Sequence, residues 1–388
     1  MNPTRTAIGA WSGGRFMHFG EPLEDERLQE LLRPGEGIDT VITADVYGAG
    51  QADSVLGRSL HGLERERYCL IGAIGHDFYT GERDGAKGYP RFTDSRLRGE
   101  RDYASYIRMA AERSLERIGV DRFDLLLLHN PDRAGYTSEA VWKGMQALRE
   151  AELCEQIGVA PGPANGFTLD LIDCLGRFGD LIDWAMIILS PMEPWPGELM
   201  LSAAEANNVQ LITRVVDYGG LFHDDVREGH EFARYDHRKF RPEGWVEAGR
   251  AKLELMRPYA QRHGLSMLQL ACQWNLAQPA VRCVAPTLIQ ESGPQARTVE
   301  DKRAELAALP AENLLSTTEV HQLRAIGNNT GCMNLKGANP AHSGDERPDA
   351  WPLSEALRAV AEHWDIDPER DLGSALTPVA AIGERGAK

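Results

Sequence analysis

The stretch Ser114-Leu-Glu-Arg-Ile-Gly-Val-Asp-Arg-Phe-Asp-Leu-Leu-Leu-Leu-His129 contains the end of one predicted helix and the whole of a predicted strand. Apolar residues keep helical spacing from Asp102 onward, and Gly119 supplies a helix stop. The four leucines that follow are apolar on both faces of a strand, which is typical of parallel strands covered by helices. This stretch therefore indicates an α/β fold in which helices alternate with buried parallel strands.

Seven further β-rich runs are spaced along the chain between amphipathic stretches. With the strand at Asp124–His129 they make eight, which predicts one (β/α)8 barrel of the TIM type. A single barrel accommodates 388 residues, because such barrels routinely run past about 250 residues. A doubly wound open sheet is the alternative, but no G-x-G-x-x-G follows an early strand. The seven runs are Thr6–Trp11, Thr40–Ala44, Tyr68–Ile71, Gln156–Val159, Ala185–Leu189, Val209–Thr213 and Val281–Val284.

The barrel pattern ends near Leu314. We expect residues 1–314 to form the barrel and residues 315–388 to form a partly helical C-terminal extension. Within this extension, Gly331–Pro352 has the composition of a loop and Leu353–Trp364 is a predicted helix. The Ala/Gly-rich end after Ala375 is expected to be flexible.

Composition and charge narrow the classes of function. The hydrophobic share of 42% and the charged share of 26% are those of a soluble globular protein. No membrane-length apolar run and no secretory pattern occur, so we expect a cytoplasmic protein without a membrane partner. The formal charge of −16 argues against nucleic acid as a partner. Six cysteines without a C-x-x-C pair are read as reduced core residues, and the sequence leaves the oligomeric state open.

Three segments resemble signatures of the aldo/keto reductase superfamily. Gly37-Ile-Asp-Thr-Val-Ile-Thr-Ala-Asp-Val-Tyr-Gly48, followed by Leu56-Gly57, resembles G-I-x-x-F-D-T-A-x-x-Y-G…L-G. The stretch Ser114–His129 resembles S-L-x-x-L-G-x-x-x-x-D-L-x-x-x-H, and Met267–Leu276 resembles a late A-L-x-W-x-L helix. Independent matches in the right order, within roughly Ile8 to Leu309, are hard to obtain by chance. The resemblance implies a (β/α)8 barrel that reduces carbonyls with NADP(H) on a small-molecule substrate.

The resemblance also implies which residues carry the chemistry. The family uses a tetrad of Asp, Tyr, Lys and His, in which the tyrosine is the general acid and the histidine orients the substrate oxygen. Tyr47 and His129 fall on the tyrosine and histidine positions, whereas Ile42 and Ala73 stand at the aspartate and lysine positions. Asp45 matches a second acidic residue of the motif outside the tetrad. His76, which follows the third strand, is a further catalytic candidate.

The positions that contact the cofactor in the family are altered as well. Ala160, Pro161 and Met186 stand where the family grips the nicotinamide carboxamide with Ser, Asn and Gln. NADP(H) is therefore implied as the cofactor, with a nicotinamide site that has lost its orienting groups. The predicted cofactor-binding residues are Trp11, Arg214, Arg297, Glu300 and Asp301.

Three functions are compatible with these residues. The first is an oxidoreductase acting on a carbonyl or polyol carbon of a small molecule such as a sugar derivative, with Tyr47 as acid/base and His129 as orienting group. The second is a lyase or isomerase that uses the same pair without a cofactor or with a divalent metal. His76 and His223, with the acids Asp77, Asp217, Asp224 and Asp225, could hold such a metal, although we assign no metal site because polar loop residues are more often solvated. The third is a ligand-binding pseudoenzyme, against which the retained Tyr47 and His129 argue.

Overall fold

Eight parallel strands form the centre of the structure, a computed structural model that describes residues 1–84, 88–162, 168–233, 235–241, 243–330 and 353–372. Each strand lies at one of the predicted β-rich runs, with its ends shifted by a few residues. The strands are β1 (Ala7–Gly9), β2 (Thr40–Ile42), β3 (Cys69–Ile74), β4 (Phe123–His129), β5 (Cys154–Ala160), β6 (Trp184–Ile188), β7 (Gln210–Arg214) and β8 (Val281–Ala285).

The strands pair in chain order, and the sheet closes on itself. Each strand is parallel to the next, from β1 through β8. A parallel bridge between Thr6 and Val284 joins the first strand to the last, and the Val284 amide donates to the Arg5 carbonyl at 2.9 Å. The predicted (β/α)8 barrel is thus confirmed, and the open-sheet alternative is wrong.

Helices cover the outside of the barrel and connect its strands. Helix α3 ends where the sequence predicts, with Gly119 in the left-handed conformation at φ 81°. The helices are α1 (Asp25–Leu32), α2 (Gln51–Leu60), α3 (Tyr103–Ile118), α4 (Arg133–Thr137), α5 (Glu139–Glu150), α6 (Thr168–Phe178), α7 (Leu201–Ala206), α8 (Trp245–His263), α9 (Met267–Leu276), α10 (Val299–Ala307), α11 (Thr317–Gly327), α12 (Glu355–His363) and α13 (Pro368–Asp371).

The leucine run of β4 serves two separate cores. Leu125 and Leu127 point into the barrel, where they join a cluster that includes Trp184 and Met186. Leu126 and Leu128 point outward into the larger core between strands and helices. Because side chains alternate along a strand, a strand packed on both faces must be apolar at every position. The five cysteines outside residue 332 are buried and unpaired, as predicted, and Cys332 lies outside the described residues.

The chain beyond residue 314 adds helices to the outside of the barrel. Helix α11 packs against α8, and the Trp274 indole donates to the Val320 carbonyl at 3.0 Å. Helix α12, which confirms the predicted helix at Leu353–Trp364 with slightly shorter bounds, packs against α6. The predicted loop at Gly331–Pro352 and the predicted flexible end after Ala375 lie outside the described residues. Within the described part of the chain, no helix is both long and apolar enough to cross a membrane.

Candidate active site

A cleft of about 1920 Å³ opens at the carboxyl ends of the strands. All eight strands of a parallel barrel end on the same face, so residues far apart in sequence meet there. The cleft is lined by the candidate residues Trp11 after β1, Tyr47 after β2, His76 after β3, His129 at the end of β4 and Arg214 at the end of β7. Five of the eight residues proposed from the sequence as catalytic or cofactor-binding therefore share one cavity.

Tyr47 and His129 form the centre of the candidate site. Their rings lie 5.8 Å apart between centroids and almost perpendicular, at 89°. Tyr47 is placed by a tight turn after β2, in which its amide donates to the Ala44 carbonyl at 3.0 Å. Burial raises the pKa of the Tyr47 hydroxyl, and the positive charge of Arg214 opposes that shift only in part. The hydroxyl is therefore protonated at neutral pH.

His129 is buried and uncharged. Burial lowers the pKa of its imidazole well below the usual value, and His76 and the positive charges of Arg214 and Arg91 act in the same direction. Its Nδ1 atom is buried and has no hydrogen-bond partner in the described part of the chain. The ring is therefore a neutral hydrogen-bonding group in the lining of the cleft.

His76 lies beside His129 but has both of its nitrogens engaged. The two rings are 5.4 Å apart, and His76 Nδ1 donates to the Tyr89 carbonyl at 2.9 Å. Its Nε2 then accepts from the Asn130 side-chain amide at 3.1 Å. Burial, with a contribution from Arg91, lowers the pKa of His76 to about 3. In this arrangement His76 holds Asn130 in place and has no free proton to donate.

Apolar side chains occupy the two positions that the sequence resemblance matched with the tetrad aspartate and lysine. Ile42 and Ala73 are buried and line the cleft at the ends of β2 and β3. Asp45 lies outside the lining of the cleft and is fully buried, and neither of its carboxylate oxygens has a hydrogen-bond partner among the described residues. Burial, together with the negative charge of Asp53, raises the pKa of Asp45 well above its usual range. Asp45 therefore does not take over the role of the tetrad aspartate.

Arg214 brings a positive charge to the floor of the cleft. Its Nη2 donates to the carbonyls of Pro161 and Gly162, both at 3.1 Å. Burial lowers the pKa of Arg214, and the hydroxyl of Tyr47 acts in the opposite direction. Arginine stays charged in proteins even when buried. The guanidinium is therefore a fixed cation close enough to act on Tyr47 and His129.

The wall expected to hold a nicotinamide offers no polar side chains. Ala160, Pro161 and Met186 line the cleft, and Ala160 and Met186 are almost completely buried. None of these side chains can form a strong hydrogen bond with a carboxamide. The volume of the cleft is, however, about twice the upper end of the roughly 300–1,000 Å³ of an ordinary small-molecule site, so the cleft can accommodate a dinucleotide together with a substrate.

The three residues proposed for the adenosine end lie outside the lining of the cleft. Arg297 Nη1 donates to the His223 carbonyl at 3.1 Å, and Nη2 lies 2.5 Å from a Glu305 oxygen. Glu300 forms a two-fold pair with Arg27, with both distances at 2.9 Å. Asp301 lies in the first turn of α10, where its amide donates to Thr298. The structure therefore does not bring these residues together with Tyr47 and His129.

The polar residues considered as metal ligands are engaged elsewhere. His223 Nε2 donates to the Thr287 carbonyl at 2.8 Å, and Asp225 pairs with Lys302 at 2.6 Å. Asp77 pairs with Arg98. Among the described residues, no three His, Cys, Asp or Glu side chains cluster in a way that could hold a metal ion.

A loop after β7 covers part of the cleft. The His237 amide donates to the His18 carbonyl at 2.8 Å, and Gly20 donates to Asp236 at 2.8 Å, which ties this loop to the segment after β1. His237, Arg238 and Arg241 line the cleft. These arginines were not among the candidate site residues identified from the sequence. Their only sequence signal is an Arg-rich run, which is also common on solvated surfaces.

Sequence comparison identifies known relatives of the chain. The model of the Aldo/keto reductase family matches residues 7–326. A 6-dehydroglucose reductase from Agrobacterium fabrum is 23% identical over 309 residues, which are 77% of this chain and 88% of the relative.

Two solved structures share the fold. A glycerol dehydrogenase from Gluconobacter oxydans superposes with a TM-score of 0.64 at 21% identity, covering 84% of this chain and 92% of the other. An aldo/keto reductase from Klebsiella pneumoniae, solved in complex with NADP and acetate, superposes with a TM-score of 0.55 at 18% identity, covering 86% and 95%.

Proposed function

Since this chain belongs to the aldo/keto reductase family, we propose that it is an oxidoreductase acting on a carbonyl or polyol carbon of a small, sugar-like molecule. The observation that carries the proposal is the pairing of Tyr47 and His129, whose perpendicular rings meet in one cleft. The 6-dehydroglucose reductase and the glycerol dehydrogenase among the similar proteins support a sugar or polyol as substrate.

Tyr47 is the proposed proton donor to the substrate oxygen. Its raised pKa keeps the hydroxyl protonated, so it can protonate the oxygen of a carbonyl that is being reduced. The tyrosinate left behind is stabilised by the positive charge of Arg214, in the absence of the tetrad lysine. In the oxidative direction the same oxygen takes the proton back, which requires the ionised form of Tyr47.

His129 is proposed to donate a second hydrogen bond to the same oxygen. A neutral imidazole carries one proton, and its buried Nδ1 atom has no partner among the described residues. Burying an unpaired N–H costs more than burying an unpaired ring lone pair, so we assign the proton to Nε2. The Nε2–H group then polarises the carbonyl without changing charge during turnover.

NADP(H) is the proposed cofactor, and it would supply or accept the hydride at the substrate carbon. The lining residues that would hold its nicotinamide ring are Trp11, Arg214, Ala160 and Met186. The orienting bonds to the carboxamide are missing there, and misplacement by about an ångström can cost on the order of a hundredfold in rate. We therefore expect weak binding and slow turnover of generic aldehydes.

Two observations favour a second candidate, a lyase or isomerase that uses Tyr47 and His129 for proton transfer. The nicotinamide wall is apolar, and Arg297 is already paired with Glu305. Such an enzyme would need the same tyrosine and histidine but no dinucleotide.

NADPH binding and turnover decide between the two candidates. Calorimetry should give weak binding to the wild type, and NADPH oxidation with small aldehydes and aldoses should be slow. Tyr47→Phe should keep the binding and lose on the order of 10²–10⁴-fold in turnover. Tyr259→Phe, which alters a partly buried tyrosine that is bonded to Gln322 and lies outside the lining of the cleft, is the control and should change neither. Absence of NADPH binding would overturn the oxidoreductase proposal in favour of the second candidate. Tight binding with fast aldehyde reduction would show that the nicotinamide site is intact.

A further inference from the structure

Arg241 is a buried arginine whose side chain has no hydrogen-bonding or ion-pairing partner among the described residues. Its side chain lines the cleft, and the residue is only 8% exposed. No hydrogen bond or ion pair joins its side chain to any described residue, and its Nη1 atom is buried and unpartnered. The backbone amide of Arg241 donates to the Arg238 carbonyl at 3.1 Å, which fixes the residue at the end of a short helical turn.

Aromatic rings and a glycine hold the Arg241 guanidinium in place. Its central carbon lies 4.7 Å from the ring centre of Tyr218 and 4.5 Å from that of Trp245. On another side is Gly219, which also lines the cleft and has φ 67°. A Cβ atom at Gly219 would lie 3.0 Å from the guanidinium carbon and from Nη2. The contacts therefore hold the cation and leave its hydrogen-bonding capacity unused.

The other buried arginines show how this fold normally treats such a charge. Arg238, 1% exposed, pairs with both Asp236 and Glu291. Arg303, 9% exposed, donates to the carbonyls of Arg33 and Gly35. Among the described arginines buried to this degree, Arg241 is the exception.

Asp217, an acid on which the charge of Arg241 acts, does not pair with it. Asp217 feels the charge of Arg241, but its two oxygens accept the amides of Gly220 at 2.8 Å and Thr287 at 2.7 Å. An arginine cannot shed its proton, and a buried charge without a counterion is costly. An anion supplied from outside the chain would remove that cost.

The charge of the cleft points in the same direction. Of its described lining residues, seven are arginines and five are acids, although acids outnumber bases by 58 to 42 in the whole chain. Three of these arginines are paired with acids, Arg15 with Asp25, Arg96 with Asp94, and Arg238 with Asp236 and Glu291. The cleft therefore has a higher share of arginine than the chain as a whole, and among its described residues no acid forms an ion pair with Arg241.

We propose that the guanidinium of Arg241 binds a phosphate group of a ligand that lies in the active-site cleft. Arginine offers paired N–H donors that match phosphate geometry, and such charge-assisted bonds are among the stronger ones in proteins. The phosphate can come from the pyrophosphate of a dinucleotide or from a phosphate ester on the substrate. The proposal rests on the proposed function only in placing that ligand in the same cleft.

Calorimetry of the full-length protein with inorganic pyrophosphate tests this site without requiring turnover. The wild type should bind one pyrophosphate, with an affinity that falls as salt is added. Arg241→Gln should weaken pyrophosphate binding on the order of tenfold or more. Arg241→Lys, which keeps the positive charge but not the paired N–H donors, should retain part of the wild-type affinity. Arg108→Gln, which removes an exposed helix-surface arginine paired with Glu112, is the charge-matched control and should bind like the wild type.

Thermal unfolding shows whether Arg241→Gln loses binding because it is misfolded. Because Arg241→Gln removes a buried unpaired charge, its thermal midpoint without ligand should equal or exceed that of the wild type. Pyrophosphate should raise the thermal midpoint of the wild type more than that of the variant. If Arg241→Gln does not fold, the Arg241→Lys affinity and the wild-type stoichiometry still decide the question. The proposal would be overturned if the wild type failed to bind pyrophosphate. It would also be overturned if the wild type, Arg241→Lys and Arg241→Gln all bound pyrophosphate with equal affinity.

Two further titrations identify the source of the phosphate. If Arg241→Gln weakens NADP⁺ but not glucose 6-phosphate, the cofactor supplies the phosphate, and the reverse result assigns it to the substrate. If neither is weakened, Arg241 is not a phosphate site. These titrations measure binding, whereas NADPH turnover tests the proposed function. If the protein binds pyrophosphate through Arg241 but does not oxidise NADPH, only the proposed function is contradicted.

Discussion

At the scale of single residues, we infer that the cleft has exchanged the ion pair implied by the family resemblance for apolar side chains. Removing only the lysine or only the aspartate would leave a buried charge unpaired, which is strongly destabilising. Ile42 and Ala73 together avoid that cost, because both are apolar and buried. The positive charge near Tyr47 now comes from Arg214, which is held by two backbone carbonyls.

This exchange predicts the pH dependence of the reaction. Reduction needs the protonated form of Tyr47, whose pKa is raised, so the rate should stay level from about pH 6 to 9 and fall only above the usual tyrosine value of about 10. Oxidation needs the ionised form, so its rate should rise with pH across the same range. His76 and His129 stay neutral throughout, since the pKa of each is lowered, and should add no inflection near pH 6.5.

Arg214→Gln separates the effect of the cation from that of burial. Without the guanidinium the pKa of Tyr47 should rise further, so oxidation at pH 9 should slow more than reduction at pH 7. Rates measured in both directions as a function of pH provide the test. An inflection below pH 8 in the reductive profile of the wild type would mean that Tyr47 titrates as in a reductase with a lysine partner.

At the scale of elements, one glycine of a sequence motif sets the distance between two helices. Gly57 lies in α2 and faces the C-terminal end of α3. A Cβ atom at Gly57 would lie 2.4 Å from the Ile118 carbonyl oxygen, which is much closer than atoms can approach. Gly57 is therefore needed for close packing of α2 against α3, and it lies outside the lining of the cleft.

Two glycine substitutions test that interpretation. Gly57→Ala should lower the free energy of unfolding by about 1–3 kcal/mol, because the two helices must move apart. Gly176→Ala, in α6, is the matched control, because nothing lies within 4 Å of its added Cβ atom. That control should stabilise the protein by roughly 0.5–1 kcal/mol through helix propensity alone. Urea unfolding measures both, and changes of the same sign would contradict the packing argument.

At the scale of the whole molecule, the C-terminal region packs onto a barrel that already contains eight strands. Leu357 and Ala361 of α12 are buried, and the Trp195 indole donates to the Asp371 carbonyl. The helix also has a capped start, since the Ser354 hydroxyl accepts the Leu357 amide at 3.2 Å. None of these contacts involves a residue that lines the cleft.

Two shortened chains test the proposed boundary between barrel and extension. A chain ending at residue 330 loses α12 and α13, and a chain ending at residue 314 loses α11 as well. Both should keep the circular dichroism spectrum of a folded barrel, and the shorter chain should have the lower thermal midpoint. The midpoint should fall by roughly 2–4 °C for each kcal/mol of unfolding free energy that is lost. Leu357→Ala in the full chain is the reference for the α12 contact alone. An unfolded chain ending at residue 314 would place α11 within the barrel domain.

The sequence alone determined the barrel and the identity of its central pair. Strands apolar on both faces can be recognised locally, because alternation and helical spacing are properties of a few neighbouring residues. Tyr47 and His129 could be placed because each lies inside a motif at a strand end, and all strand ends meet on one face of a barrel.

Only the tertiary structure decided what the polar side chains contact. No local sequence signal predicts that Arg297 pairs with Glu305 or that it donates to the His223 carbonyl, which lies 74 residues away in the chain. The same holds for the hydrogen bond between His76 and Asn130. The isolation of Arg241 is a property of everything that surrounds it. Such features depend on which distant side chains fold into reach, because a charge is neutralised by whichever partner lies within a few ångströms in space, at any separation along the chain.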